Sequence, residues 1–264
     1  MLTEFGNYLA AMSRWRRGIW TAMRQVLDTY TRGNGVLLLL ILAEPISAIT
    51  MLYVLRGSFK GSLPNYGTSL FLFYASGFLP YYLFMRVSSR ARSSKLDPRW
   101  RPPGITVLDM YLATTALNAL IWLAMTIVIF YSMYAYGIVQ ARPASIVDCI
   151  IPLAIFIVLG LGIGMLNNVL MRLFSMWGIF YAIAMRGLIF FSGVLYVADL
   201  APMWIRKWIV WNPLLHGIEW FRVGVYGRYP HILLDKSYFI EFSLIALFVG
   251  LVLDRASVRA LARS

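Results

Sequence analysis

Three polar side chains interrupt one of the most apolar stretches of the chain. In "WNPLLHGIEWFRVGVYG", Trp211 to Gly227, the residues His216, Glu219 and Arg222 recur at intervals of three. An imidazole, a carboxylate and a guanidinium at this spacing lie on one slowly drifting stripe of a helix, with Glu219 and Arg222 placed to pair at i, i+3. The chemistry they offer is hydrogen bonding and recognition. The stripe faces water, packed protein or a polar substrate, and the spacing alone leaves these three open. Bond-making chemistry finds less support. The eleven acidic residues are scattered along the chain rather than converging in pairs. There is no H-E-x-x-H and no G-x-S-x-G, and the two histidines, His216 and His231, share one segment. No G-x-x-x-x-G-K-[ST] loop is present to hold ATP. Cys149 is the sole cysteine, which excludes an intramolecular disulfide and a cysteine metal cluster. No catalytic residue, metal ligand or cofactor is therefore expected in this chain.

The elements that must position the stripe are set by hydropathy. Of 264 residues, 60% are hydrophobic and only 13% charged, about half the charged share of an ordinary soluble domain. The expected fold is an all-α integral membrane protein. Six spans are placed at about 36–55, 67–86, 105–137, 146–171, 178–197 and 238–254. They form one transmembrane domain over 36–264, preceded by a cytoplasmic interface segment over 1–35. The net charge of +13 sits in short segments between apolar runs. That pattern fits sided topology and anionic headgroups rather than nucleic acid, for which no basic module stands apart. Fifteen Lys and Arg fall on one side of the spans and eight on the other. Both termini are therefore expected in the cytoplasm.

Within this frame the opening segment has a definite length. Asn212 is a good N-cap and Pro213 suits the first turn. A helix from there to about Tyr226 is about 21 Å long, against a hydrocarbon core of about 30 Å. Two short re-entrant helices over about 201–227 are therefore expected between spans five and six. Tyr131 and Tyr134 at the end of span three, with Trp208, Trp211 and Trp220 in the late segment, form either an interfacial aromatic belt or a surface for stacking sugar rings. Glu44 and Arg186 fall near mid-membrane. Each should face protein or a wet cavity, either neutralising the other or lining a path for a polar substrate. About Leu9 to Tyr30 is amphipathic and reads as a helix on the cytoplasmic surface, carrying Arg24 on its polar side. The basic loop "RVSSRARSSKLDPRWRPPGI" contains Arg90, Arg92, Lys95 and Asp97, with a short helix expected at about 89–97. It serves either topology or docking of a cytoplasmic partner.

Several motifs occur in a fixed order: "YTRGN" from Tyr30, "LAEP" from Leu42, "LDPRWRPPGITVLD" from Leu96, and "FSGVLY" from Phe191 followed by "WNPLLHGIEWFRVGVYG". In this order the chain resembles the permease subunits of type-2 ABC exporters for bacterial surface polysaccharides, most closely the capsular polysaccharide export branch. The segment from Leu96 is a looser version of the family's, and departs from it in having Pro102-Pro103 with no apolar "L-L" before them. The resemblance implies a homodimer of permeases in the bacterial inner membrane, driven by two separate cytoplasmic ATPases that bind ATP and Mg. It also implies a lipid-linked polysaccharide substrate, and a periplasmic adaptor with an outer-membrane exporter. Arg24, Arg32, Arg90, Arg92, Lys95 and Asp97 would contact the ATPase. Glu44, Arg186, Tyr131, Tyr134, Trp208, Trp211, His216, Glu219, Trp220 and Arg222 would border the substrate path. An O-antigen or teichoic-acid permease, a lipid or drug exporter of the same fold, and an integral-membrane enzyme are the competing expectations.

Overall fold

The computed structural model describes residues 20, 23, 24, 27, 36–60, 66–93 and 106–261. Eight α-helices have described ends, and no strand occurs among the described residues. In chain order they are α1 Val36–Lys60, α2 Leu70–Ser93, α3 Val107–Ala135, α4 Ile146–Leu173, α5 Trp177–Phe191, α6 Met203–Ile209, α7 Pro213–Tyr226 and α8 Lys236–Leu261. Short 3-10 turns at Val139–Ala141 and Ala198–Leu200 lie in the α3–α4 and α5–α6 connections.

Local sequence accounts for where the helices begin. Thr106 and Asp109 form a reciprocal capping box: the Asp109 carboxylate accepts from the Thr106 N–H at 2.8 Å, and Thr106 Oγ accepts from the Asp109 N–H at 3.2 Å. Ser145 caps α4 by accepting from the Asp148 N–H at 3.3 Å. Asn212 caps α7 through the Leu214 N–H at 3.1 Å, Pro213 opens the helix, and Gly227 closes it at φ +71.

Among the described residues, four helical stretches have the length and apolar content to cross a membrane: Leu70–Ser89, Leu108–Ala135, Ile146–Leu173 and Lys236–Ser257. Their burial differs in a way that orders the bundle. The α2 stretch is 83% buried and the α8 stretch only 28%. Helix α2 is thus the hub, with α1, α3, α4 and α7 packed around it through Leu72, Phe73, Leu79, Leu83 and Val87. Helix α8 is an edge helix that packs on α4 and turns Ile245, Phe248 and Val252 outward. The α4–α8 crossing is unusually close. A Cβ on Gly162 would lie 2.5 Å from the Leu247 backbone nitrogen, so only glycine lets the two backbones meet there.

Two expected elements differ. Helix α5 ends at Phe191, six residues before the expected end of span five. Ser192 and Gly193 turn the chain, with Gly193 at φ +68, a conformation that a side chain would disfavour. Helix α2 continues without a break to Ser93, so no separate helix begins at 89. Arg86 is accordingly a helical residue rather than a loop charge. Of the expected N-terminal helix, Trp20, Met23, Arg24 and Leu27 are helical, and the Arg24 guanidinium lies 5.2 Å from the Trp20 ring centroid. The remainder of that helix, Arg32, Lys95 and Asp97, and the side chains of Arg90 and Arg92 lie outside the described residues.

Candidate functional site

Helices α6 and α7 sit at the end of the bundle where α3 and α5 finish and α4 and α8 begin. The first fastening is the α7 cap. Asn212 Nδ2 donates to the Phe191 carbonyl at 3.0 Å and to Ser192 Oγ at 2.9 Å, tying the start of α7 to the end of α5. Helix α7 then runs inward against α4. Gly217 lies against the rings of Phe156 and Phe239, and Gly224 against the backbone of Asp148.

His216, Glu219 and Arg222 are all buried inside the protein, at 1%, 0% and 0% exposure. Of the three environments open to the stripe, packed protein is the one observed. Arg222 is the hub. Its Nη1 donates to the carbonyls of Gly193 at 2.7 Å and Tyr196 at 3.1 Å, and to the Tyr229 hydroxyl at 3.2 Å. Its Nη2 donates to the Val194 carbonyl at 2.7 Å, and its carbon lies 4.0 Å from the Phe73 ring centroid. The guanidinium fork therefore collects the carbonyls that the turn after α5 leaves without helical partners. A hydrogen-bonded Glu219–Arg222 pair, which the i, i+3 spacing allowed, does not form. Both Glu219 carboxylate oxygens are buried without a hydrogen-bond partner, because the carbonyls engage the guanidinium instead.

Burial, reinforced by Asp199, pushes the Glu219 carboxyl up to about 8, although Arg222 pulls it down. Asp199 accepts from the Ile232 N–H at 2.8 Å and the Leu233 N–H at 3.1 Å, pinning the loop after α7. His216 Nδ1 accepts from the Asp235 N–H at 3.0 Å while Nε2 lies 2.8 Å from the Val210 carbonyl. These partners assign the neutral Nε2–H tautomer, and burial lowers the imidazole further below its ordinary value. Trp220 Nε1 donates to Asp148 Oδ1 at 2.8 Å, and Lys236 Nζ reaches the same oxygen at 3.2 Å while lying 4.6 Å from the Trp220 ring centroid. This knot joins the starts of α4 and α8 to the middle of α7.

The remaining aromatic candidates are exposed. Trp208 and Trp211 border a cavity of about 560 Å³ between α4, α5 and α7 that also contacts Leu188, Phe191 and Phe242. Trp204 and Trp208 border a second, of about 610 Å³, against Phe190 and Phe191. Tyr131 and Tyr134 lie elsewhere, over a groove between α3 and α4.

Glu44 and Arg186 do not neutralise each other. Glu44 forms an ion pair with Arg86 of α2, whose guanidinium also lies 5.8 Å from the Trp122 ring centroid. Arg186 stands exposed on the outward face of α5, beside Ile183 and Phe190. Sequence reasoning missed Arg86, Asp148, Asp199 and Lys236. Only Asp148 carried a local signal, standing three residues after the N-cap Ser145.

Comparison with known proteins identifies the family. The profile of the ABC-2 type transporter family matches residues 17–226, and the chain belongs to that family. Among its relatives, two polysialic acid transport proteins KpsM of Escherichia coli are similar. One is 23% identical over 228 residues, covering 85% of this chain and 86% of the relative. The other is 24% identical over 207 residues, covering 77% and 78%. The capsule polysaccharide export inner-membrane protein CtrC of Neisseria meningitidis serogroup A is 22% identical over 235 residues, covering 87% of this chain and 86% of the relative.

Proposed function

We propose that the chain is the membrane-spanning subunit of an ATP-driven exporter that carries lipid-linked capsular polysaccharide across the bacterial inner membrane. The observation that carries this reading is the likeness to capsule and polysialic acid transport proteins along most of both chains. Two such subunits form the conduit, and a pair of separate cytoplasmic ATPases supplies ATP and Mg chemistry that this chain lacks the motif to perform. A periplasmic adaptor and an outer-membrane exporter receive the product.

In this reading α1 and α5 join the four long apolar helices as spans, both termini are cytoplasmic, and α6 and α7 re-enter from the periplasmic side. The 15 residues of α5 extend about 22 Å, so the turn at 192–197 completes its passage. The outward face of α5, with Ile183, Arg186 and Phe190, is apolar apart from one cation. Facing a second copy across the conduit gives that cation a polar environment, whereas facing lipid would cost several kcal/mol, about 3 or more. Glu44, partly exposed beside Arg86, borders the same path. Trp208 and Trp211 offer ring faces at the exit, and the buried His216, Glu219, Trp220 and Arg222 hold the exit helices in position. Arg24, Arg32, Arg90, Arg92, Lys95 and Asp97 contact the ATPase.

The test is complementation of a capsule-export strain lacking its own permease. This chain with its ATPase should restore surface polysaccharide, and Arg186→Ala should block surface display while leaving the complex assembled. Intracellular retention of polysaccharide with the native chain present would overturn the proposal.

A further inference from the structure

Helix α3 packs chiefly on α2, while α4 packs on α2, α7 and α8. The two therefore separate along one side and leave a groove of about 630 Å³, within the range of ordinary ligand sites, about 300–1,000 Å³. Phe130, Cys149 and Phe221 form its floor, and Leu123, Ile127, Leu153 and Ile157 its apolar walls. From Leu123 to Tyr134 it follows α3 for about 16 Å, which is half of a hydrocarbon core of about 30 Å. The groove is one leaflet deep.

Its mouth has different chemistry. Tyr131, Tyr134 and Arg142 border the end nearest α7, and all three are exposed. Among the described residues no carboxylate pairs with Arg142. Asp148, an acid at the start of α4, is engaged by Trp220, Ser145 and Lys236. A one-leaflet apolar slot ending in a guanidinium with no carboxylate partner among the described residues, and in two phenol hydroxyls, matches an acyl chain joined to an anionic headgroup. We propose that this groove is a phospholipid site, which takes an acyl chain of one anionic membrane phospholipid along α3 and α4 and its phosphate at Arg142. The site is separate from the conduit at α5.

The test uses the full chain reconstituted in phosphatidylcholine vesicles doped with phosphatidylglycerol, then released for native mass spectrometry of retained lipid. The native chain should hold phosphatidylglycerol in preference to phosphatidylcholine. Arg142→Gln should reduce phosphatidylglycerol retention about fivefold, the share of one interfacial cation. Ile127→Trp, at an outward-facing wall residue that tolerates bulk, should remove the bound lipid of either kind. Arg206→Gln, whose guanidinium donates to the Ala201 carbonyl at the same end of the bundle, should change nothing. Equal retention of the two lipids, undiminished phosphatidylglycerol on Arg142→Gln, or crosslinking of a second copy into the groove through Tyr131→Cys would overturn the proposal.

Discussion

Replacing Arg222 tests whether the polar stripe of α7 is a fastening or a substrate contact. In Arg222→Met, the carbonyls of Gly193, Val194 and Tyr196 lose donors at 2.7, 2.7 and 3.1 Å. Each buried acceptor left unsatisfied costs about 1–3 kcal/mol. Removing a fully buried cation from water-free surroundings returns part of that, so a net loss of about 3–5 kcal/mol is expected, the usual range for breaking a buried charged network. Arg222→Lys keeps the charge but not the planar fork that reaches two sides of the turn, and should lose about 1.5–3 kcal/mol, the value of one charge-assisted bond. The assay is denaturation of the purified chain in detergent followed by tryptophan fluorescence. Tyr196→Cys in a Cys149→Ala background reports opening of the turn by thiol labelling. An Arg222→Met chain that unfolds like its parent, with the turn equally protected, would refute the fastening.

Glu219→Gln should change the pH dependence of stability. The folded carboxyl is raised from 4.5 to about 8, so the folded chain binds the extra proton. The associated stability is full below about 4.5, is lost as pH rises through about 8, and stays absent above. The glutamine variant should flatten that decline and be the more stable chain at pH 9; parallel pH profiles would count against the buried acid. Gly162→Leu should prevent the α4–α8 crossing and sharply reduce folded protein in membranes, since its Cβ alone would stand 2.5 Å from the Leu247 nitrogen; normal yield would show that the helices can separate. For Glu44 and Arg86, a double-mutant cycle of Glu44→Gln and Arg86→Met should show coupling of about 1–3 kcal/mol, and additive losses would dissolve the pair.

The parts of this architecture that sequence reveals are those governed by local rules. Apolar run length places both ends of α3 and α4 and the start of α8 within about two residues, although α8 runs on to Leu261 past its expected end at 254, and Asn212, Pro213 and Gly227 bracket α7 because capping depends on adjacent residues. The end of α5 is different. "FSGVLY" is as apolar as the helix before it, and what ends the helix is a positive-φ glycine stabilised by a guanidinium 29 positions away at Gly193. Likewise, the partner of Glu44 sits at the far end of α2, where hydropathy reads a basic loop. The stripe itself was visible as three residues at a spacing of three. Its burial was not, because the carbonyls, rings and loop amides that enclose it come from α2, the α5–α6 turn and the α7–α8 loop.

The most direct test of ATP-driven export is transport by the purified permease with its ATPase in sealed vesicles loaded with lipid-linked polysaccharide on the ATPase side. Glycan should move to the opposite face only with ATP, both subunits and Arg186 present. Movement without the ATPase, or chemical turnover of the lipid-linked sugar by this chain alone, would contradict it.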